Sequence, residues 1–238
     1  MKKLLIISIL LGVVFLSGTV ITRNDVITTA MSFESISNWT PVVDFTTKVS
    51  PTWHSYYKTE ENGGNPPYNK LSYCWSGYDT PSLFISRVEN EENPVPAGGV
   101  GTDIYDYCRD RIAGLDCAGF VMRCWGRNNV NHYDNWNELC LYSISVNQSA
   151  IDRGDWLNIG GHQILVDNVV LLNKKQFDVY ESTSSKNGDN DYPGVQKNDS
   201  KTISIYTPYS IFPQFSECTP EQDSTITEND IEIGVTVL

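Results

Sequence analysis

The residues able to do nucleophilic or metal chemistry in this chain are few. It has three histidines, His54, His132 and His162, and six cysteines, Cys74, Cys108, Cys117, Cys124, Cys140 and Cys218. A zinc site takes ligands paired at short spacing, as in CxxC or HxxxH, and these residues are not so paired. Cys117 and Cys124 are the closest cysteines. On one helix they would stand about 10 Å apart along the axis, too far for a disulfide and awkward for one metal. There is no Walker loop, no GxSxG elbow and no GxGxxG. The 29 acidic residues allow many carboxylate pairs for hydrolysis, but no two stand out. The sequence therefore predicts no metal and no cofactor, and leaves a cysteine acting with a histidine.

Cys117 lies in Gly114-Leu115-Asp116-Cys117-Ala118-Gly119-Phe120-Val121, where an acidic residue opens a short helix over 116–125. The positive end of a helix lowers a thiol's pKa and favours the thiolate. Ala118 and Gly119 are small enough to admit a substrate backbone, and Phe120, Val121 and Cys124 would bury the helix behind the sulfur. The plainer reading is a small buried core cysteine. His162 follows Gly160-Gly161 and opens the apolar run QILV, so it stands rigidly at the mouth of a strand; a structural histidine is its alternative. Glu181 closes the strand QFDVYE and can accept from the imidazole and fix its tautomer; otherwise it is a strand-end surface acid. His54, among Trp53, Tyr56 and Tyr57, and His132, in the polar run NNVNHYDN, are weaker candidates.

The elements that must hold these residues are readable in outline. Asp25 to Asn38 predicts a helix capped by Asp25, with Val26, Ala30, Phe33 and Ile36 on one face. Thr40 to Asn69 and Glu89 to Thr102 are punctuated by proline and glycine and read as loops. From Asp155 onward the pattern predicts strands at WLNI, QILV, QFDVYE and TISIY, with an exposed loop from Lys186 to Ser200. Ile231, Ile233, Val235 and Val237 alternate as in a half-buried strand. Helices first and strands later predict an α+β fold.

The 238 residues suit one domain, and 40% hydrophobic with 19% charged residues is a globular composition. Lys plus Arg number 17 and Asp plus Glu 29, so the net charge is 17 − 29 = −12. That argues against nucleic acid and against anionic surfaces as partners. Lys2 and Lys3, the uncharged run Leu4 to Leu16, and the small residues Ser17, Gly18 and Thr19 have the order of an export signal; a retained anchor is the alternative. Either predicts a domain working outside the cytoplasm, secreted or held at the envelope.

Four blocks together carry a family resemblance. GLDCAGFV at 114–121 resembles the DCSGF nucleophile motif of the NlpC-type cell-wall cysteine peptidases. LSYCWSG at 71–77 resembles their Y-x-W-G-G segment, GDWLNIGGHQILV at 154–166 their GD-then-histidine strand, and VYEST at 179–183 the strand of their third polar residue. The blocks stand in the family's order. The resemblance implies a papain-like catalytic helix packed on a small antiparallel sheet. Cys117 would be the nucleophile, His162 the base and Glu181 the orienting residue, with Tyr73, Asp116 and Gly119 lining the substrate site. The implied substrate is a peptidoglycan stem peptide, and the implied protein a monomer. Alternatives are a thiol amidase or acyltransferase on a non-wall substrate, or a member that only binds. Ser76 and Ala118 depart from the family's glycine and serine, Glu181 from its usual His, Asn or Gln, and the wide gap between Gly77 and Gly114 from its spacing. The implied layout is an export segment at 1–22, a helix and loop at 23–70, the peptidase domain at 71–215 and an acidic tail at 216–238. With Cys117 reduced, at most two internal disulfides remain, and Cys124 is expected to be a buried free thiol.

Overall fold

The structure, a computed structural model, describes residues 21–42, 67–98, 112–127, 139–184 and 194–211. Residues 1–20 of the expected export segment, His54, His132, Cys108, Cys218, and the stretches expected to form a C-terminal strand and an acidic tail lie outside the described residues. Among those described, no helix is long and apolar enough to cross a membrane.

Among the described residues, helices and an antiparallel sheet make an α+β fold. Helix α1, Arg23–Glu34, is capped by Thr22 rather than Asp25. The Thr22 hydroxyl accepts from the Asp25 N–H, and the Asp25 carboxylate accepts from the Thr22 N–H, a reciprocal capping box. Asp25 is thus the third helical residue. The helix stops at Ser35, before Ile36, so Val26, Ile27, Ala30 and Phe33 form its buried face. Helix α2, Pro81–Val88, falls where the sequence offered no helix. Thr80 caps it and proline takes its first position, where the missing N–H is not needed. Helix α3, Cys117–Cys124, starts where expected, with Asp116 as its cap.

The six strands are β1 (Ile144–Ser145), β2 (Trp156–Ile159), β3 (His162–Leu171), β4 (Gln176–Thr183), β5 (Gly194–Thr202) and β6 (Thr207–Ser210). Their order is β1-β6-β2-β3-β4-β5, and each neighbouring pair is antiparallel. Two expectations fail here. The polar stretch up to Ser200 holds β5, an edge strand along β4. Of its residues only Gly194, Val195 and Gln196 are buried, so the sequence shows no apolar alternation. TISIY is not one strand: Thr202 ends β5, and Ile203 and Tyr206 pack onto the sheet from the following bend.

Successive side chains of a strand take opposite faces, and each face of this sheet has its own core. Trp156, Leu165, Tyr180 and Val195 pack with α1 and α3. Leu157, Ile164, Val166, Phe177 and Val179 pack on the other side with Ile151, Ile203 and Tyr206. Gly160 and Gly161, both at positive φ, close the two-residue turn between β2 and β3 and fix Ile159 opposite His162. Asp155, wholly buried, ties α1 to the sheet. Its carboxylate accepts from Arg23 at 2.8 Å and from the Ser210 hydroxyl at 2.6 Å. Burial pushes its pKa up, against the pull of Arg23.

The segment 71–79 runs directly beside 112–116, although the two are far apart in sequence. Leu115 N–H donates to Ser72 O at 3.0 Å, Cys74 N–H to Leu115 O at 3.2 Å, and Asp116 N–H to Gly77 O at 3.1 Å. The approach depends on two glycines. A Cβ at Gly77 would stand 2.5 Å from Gly114 O, and one at Gly114, where φ is +153°, would stand 2.4 Å from the Cys74 Cβ. Replacing Gly77 or Gly114 by Ala is expected to destabilise the protein by about 1–3 kcal/mol through overpacking against backbone, read as a lower urea midpoint with an unchanged slope.

Candidate functional site

Asp116 shapes the start of α3. Its Oδ1 accepts from the Gly119 N–H at 2.5 Å, and its backbone N–H is held by Gly77. Cys117 is therefore the first helical residue, half-buried, with its sulfur at the positive end of the helix. The thiol donates to the Gln163 side-chain Oε1 at 2.9 Å. Backbone N–H groups of Gln163, Ala118 and Cys117 also act on the sulfur and favour the thiolate. Burial and the neighbouring Asp116 carboxylate oppose them and win, so the thiol's pKa is pushed up to about 12. In this arrangement Cys117 is a neutral thiol at physiological pH.

The expected partnership between Cys117 and His162 is not made. The sulfur does lie against β3, at the residue that follows His162, but strand alternation puts Gln163 with Leu165 on the face toward α3. His162 shares the other face with Ile164 and Val166. There its Nε2 lies 2.6 Å from Glu181 Oε2, so the contact expected between these two is present. Glu181 also accepts from Lys201 at 2.5 Å and from Asn198 at 2.6 Å, and more distantly from Gln196. Burial alone would raise the Glu181 carboxyl. The hydrogen bonds and charges of His162 and Lys201 outweigh it and bring the pKa down to about 2. Glu181 is a buried strand residue, not an exposed acid at a strand end.

The three residues expected to line the substrate site are placed together, and each has a structural role. Tyr73 is buried, and its backbone bridges that of Leu115, so the upstream segment reaches the nucleophile motif despite the long gap between them. Asp116 is the helix cap. Gly119 is closely packed by its own neighbours. A Cβ there would stand 2.7 Å from Gly77 O and 3.0 Å from the Tyr78 ring, so its smallness serves the seating of 71–79 on α3. Ser76, where the family has glycine, sits at φ 57°, a left-handed conformation that glycine adopts without strain. Cys117 and Cys124 are free thiols, Cys124 wholly buried.

Gln163 was not singled out in the sequence. Both faces of β3 are apolar, so no alternation in QILV says which residues look toward the helix. The residues around Glu181 are not legible in the sequence because β5 carries too few apolar residues to predict a strand.

Replacing His162 by Ala is expected to leave the pH dependence of Cys117 alkylation by iodoacetamide unchanged, since the imidazole belongs to the other face. A midpoint raised by a unit or more would instead put the ring beside the sulfur. Glu181 is linked to acid stability. Its folded pKa lies below its unfolded value of 4.5, so its contribution is full above about pH 4.5 and lost as pH falls through about 2. The wild type should accordingly lose about 3 kcal/mol more than Glu181→Gln between pH 5 and pH 2, measured by urea unfolding at each pH.

Compared with known proteins, no family model, no curated protein and no solved structure matches the chain.

Proposed function

We propose that this chain is an exported cysteine hydrolase of the NlpC type, cleaving peptide or amide bonds in peptidoglycan stem peptides with Cys117 as nucleophile. The observation that carries the reading is the position of the thiol. It sits at the first residue of α3, ringed by backbone N–H groups, against the strand that His162 opens. The order of the four sequence blocks and the pairing of His162 with Glu181 support it. In the reaction the Cys117 sulfur attacks the carbonyl carbon, and N–H groups at the helix start stabilise the oxyanion. His162 takes the thiol proton, gives it to the leaving amine and then activates water to free the acyl-enzyme. The papain-like arrangement of helix and sheet belongs to this proposal, as do a monomeric state and an extracytoplasmic location.

The mechanism asks for one change in the described arrangement: the imidazole must come round the start of β3 to the sulfur. The adjoining turn is open where Cβ atoms of Gly160 and Gly161 would stand, with nothing within 4 Å, and the rearrangement is a change of the His162 side chain at the strand's first residue, not a slip of the strand's register. A second reading, a protein that binds wall peptides without cleaving them, is favoured by the neutral thiol and by the hold of Glu181 on His162.

Digestion of purified muropeptides by wild type and Cys117→Ala, with the products weighed, separates the two. The hydrolase reading expects new fragments from wild type alone. If wild type changes no mass while the muropeptides still bind, the binding reading stands.

A further inference from the structure

The amide of Gln163 is in an unusual position. Gln163 is 2% exposed. Its Oε1 takes the Cys117 thiol hydrogen at 2.9 Å, while its Nε2, on the same planar group, is buried with no hydrogen-bond partner. A buried N–H without an acceptor is unfavourable and is seldom kept without a use. Among the described residues no carboxylate or carbonyl satisfies it. The group next to the amide is the sulfur, which lacks a negative charge only while it holds its proton.

We propose that the Gln163 side-chain amide is a two-way partner of the Cys117 sulfur: Oε1 accepts from the neutral thiol at rest, and the amide turned over donates its Nε2–H to the thiolate when the cysteine reacts. The two orientations occupy the same volume, so the turn needs no repacking of the core. It exchanges an acceptor for a donor as the sulfur loses its proton. The donor then joins the backbone N–H groups of Cys117, Ala118 and Gln163, which already face the sulfur. Gln163 is thus a positioning residue, acting through Cys117. Among the described residues, the charge that acts on the thiol is Asp116, at the cap of its own helix. From β3 it meets only the uncharged Gln163, with His162 on the other face bound to Glu181.

The inference gives the hydrolase reading its thiolate donor, but its test reads the sulfur and not turnover. A chain that cleaves no muropeptide can therefore still bear it out. Gln163→Met and Gln163→Leu keep the bulk of the side chain and remove the amide. The charge-assisted bond to the thiolate is about twice as strong as the neutral one to the thiol, so losing both raises the midpoint. Carbamidomethylation of Cys117 by iodoacetamide, followed by peptide mass at fixed pH below that midpoint, should slow about tenfold for each unit of the rise. An amide serving only as acceptor for the thiol hydrogen stabilises the neutral form, so its loss would speed the reaction. An unchanged or faster rate in variants that melt like wild type overturns the proposal. Should both variants fail to fold, the wild type decides. The side-chain carboxamide carbon of Gln163, read by carbon-detected NMR so that proton exchange does not matter, should move with the same pH midpoint as Cys117 alkylation, and a resonance indifferent to pH across that midpoint overturns it.

Discussion

Alternation along β3 is the constraint on which the rest of the site depends. Leu165 must face α1 and α3, and Ile164 and Val166 must face the second core. Slipping the strand by one residue would turn every one of these to the wrong side. With both faces buried, the register is fixed by hydrophobic burial on a scale that no single polar contact at the strand's end can overturn. Gln163 and His162 inherit their faces from that arrangement. The sulfur meets an amide because Leu165 is in the core, and the imidazole meets a carboxylate because Ile164 is.

The second determinant is the close passage of 71–79 along 112–116. Gly77, Gly114 and Gly119 each lie where a Cβ would meet backbone oxygen or a neighbouring side chain. Asp79 completes the junction. Its carboxylate accepts from the Gly114 N–H at 2.8 Å and from Arg87 of α2 at 2.7 Å, and burial raises its pKa against the pull of Arg87. The start of α3 is therefore set from three sides, by the upstream segment, by its own cap and by β3. Small residues in the nucleophile motif follow from this packing as much as from any substrate.

Much of this was legible in the sequence, for identifiable reasons. Asp116 before a helix that begins at Cys117 is a local signal, and local capping chemistry survives in the fold. The pairing of His162 with Glu181 was also within reach, because each opens or nears the end of an apolar run. What the sequence concealed is non-local. The side of the sheet on which His162 falls depends on which apolar set meets the helices, and QILV does not say. β5 hides because an edge strand needs few apolar residues. Helix α2 was missed although Thr80-Pro81 is a start signal, because the apolar residues it buries, Phe84 and Val88, make only a short stripe.

The polar character of β5 has a further consequence for how the molecule meets other copies of itself. An edge strand presents unpaired backbone groups that invite a second chain to add to the sheet. Along β5 the side chains of Lys197 and Asp199 stand at the rim, and the register shift opposite Phe177 and Val179 bends the ladder. A foreign strand laid there would have to desolvate these charges and follow an irregular edge. The start of the strand is already occupied, since the Val195 N–H donates to Leu71 O. The features that hid β5 from view in the sequence are those that keep the sheet from growing at that side.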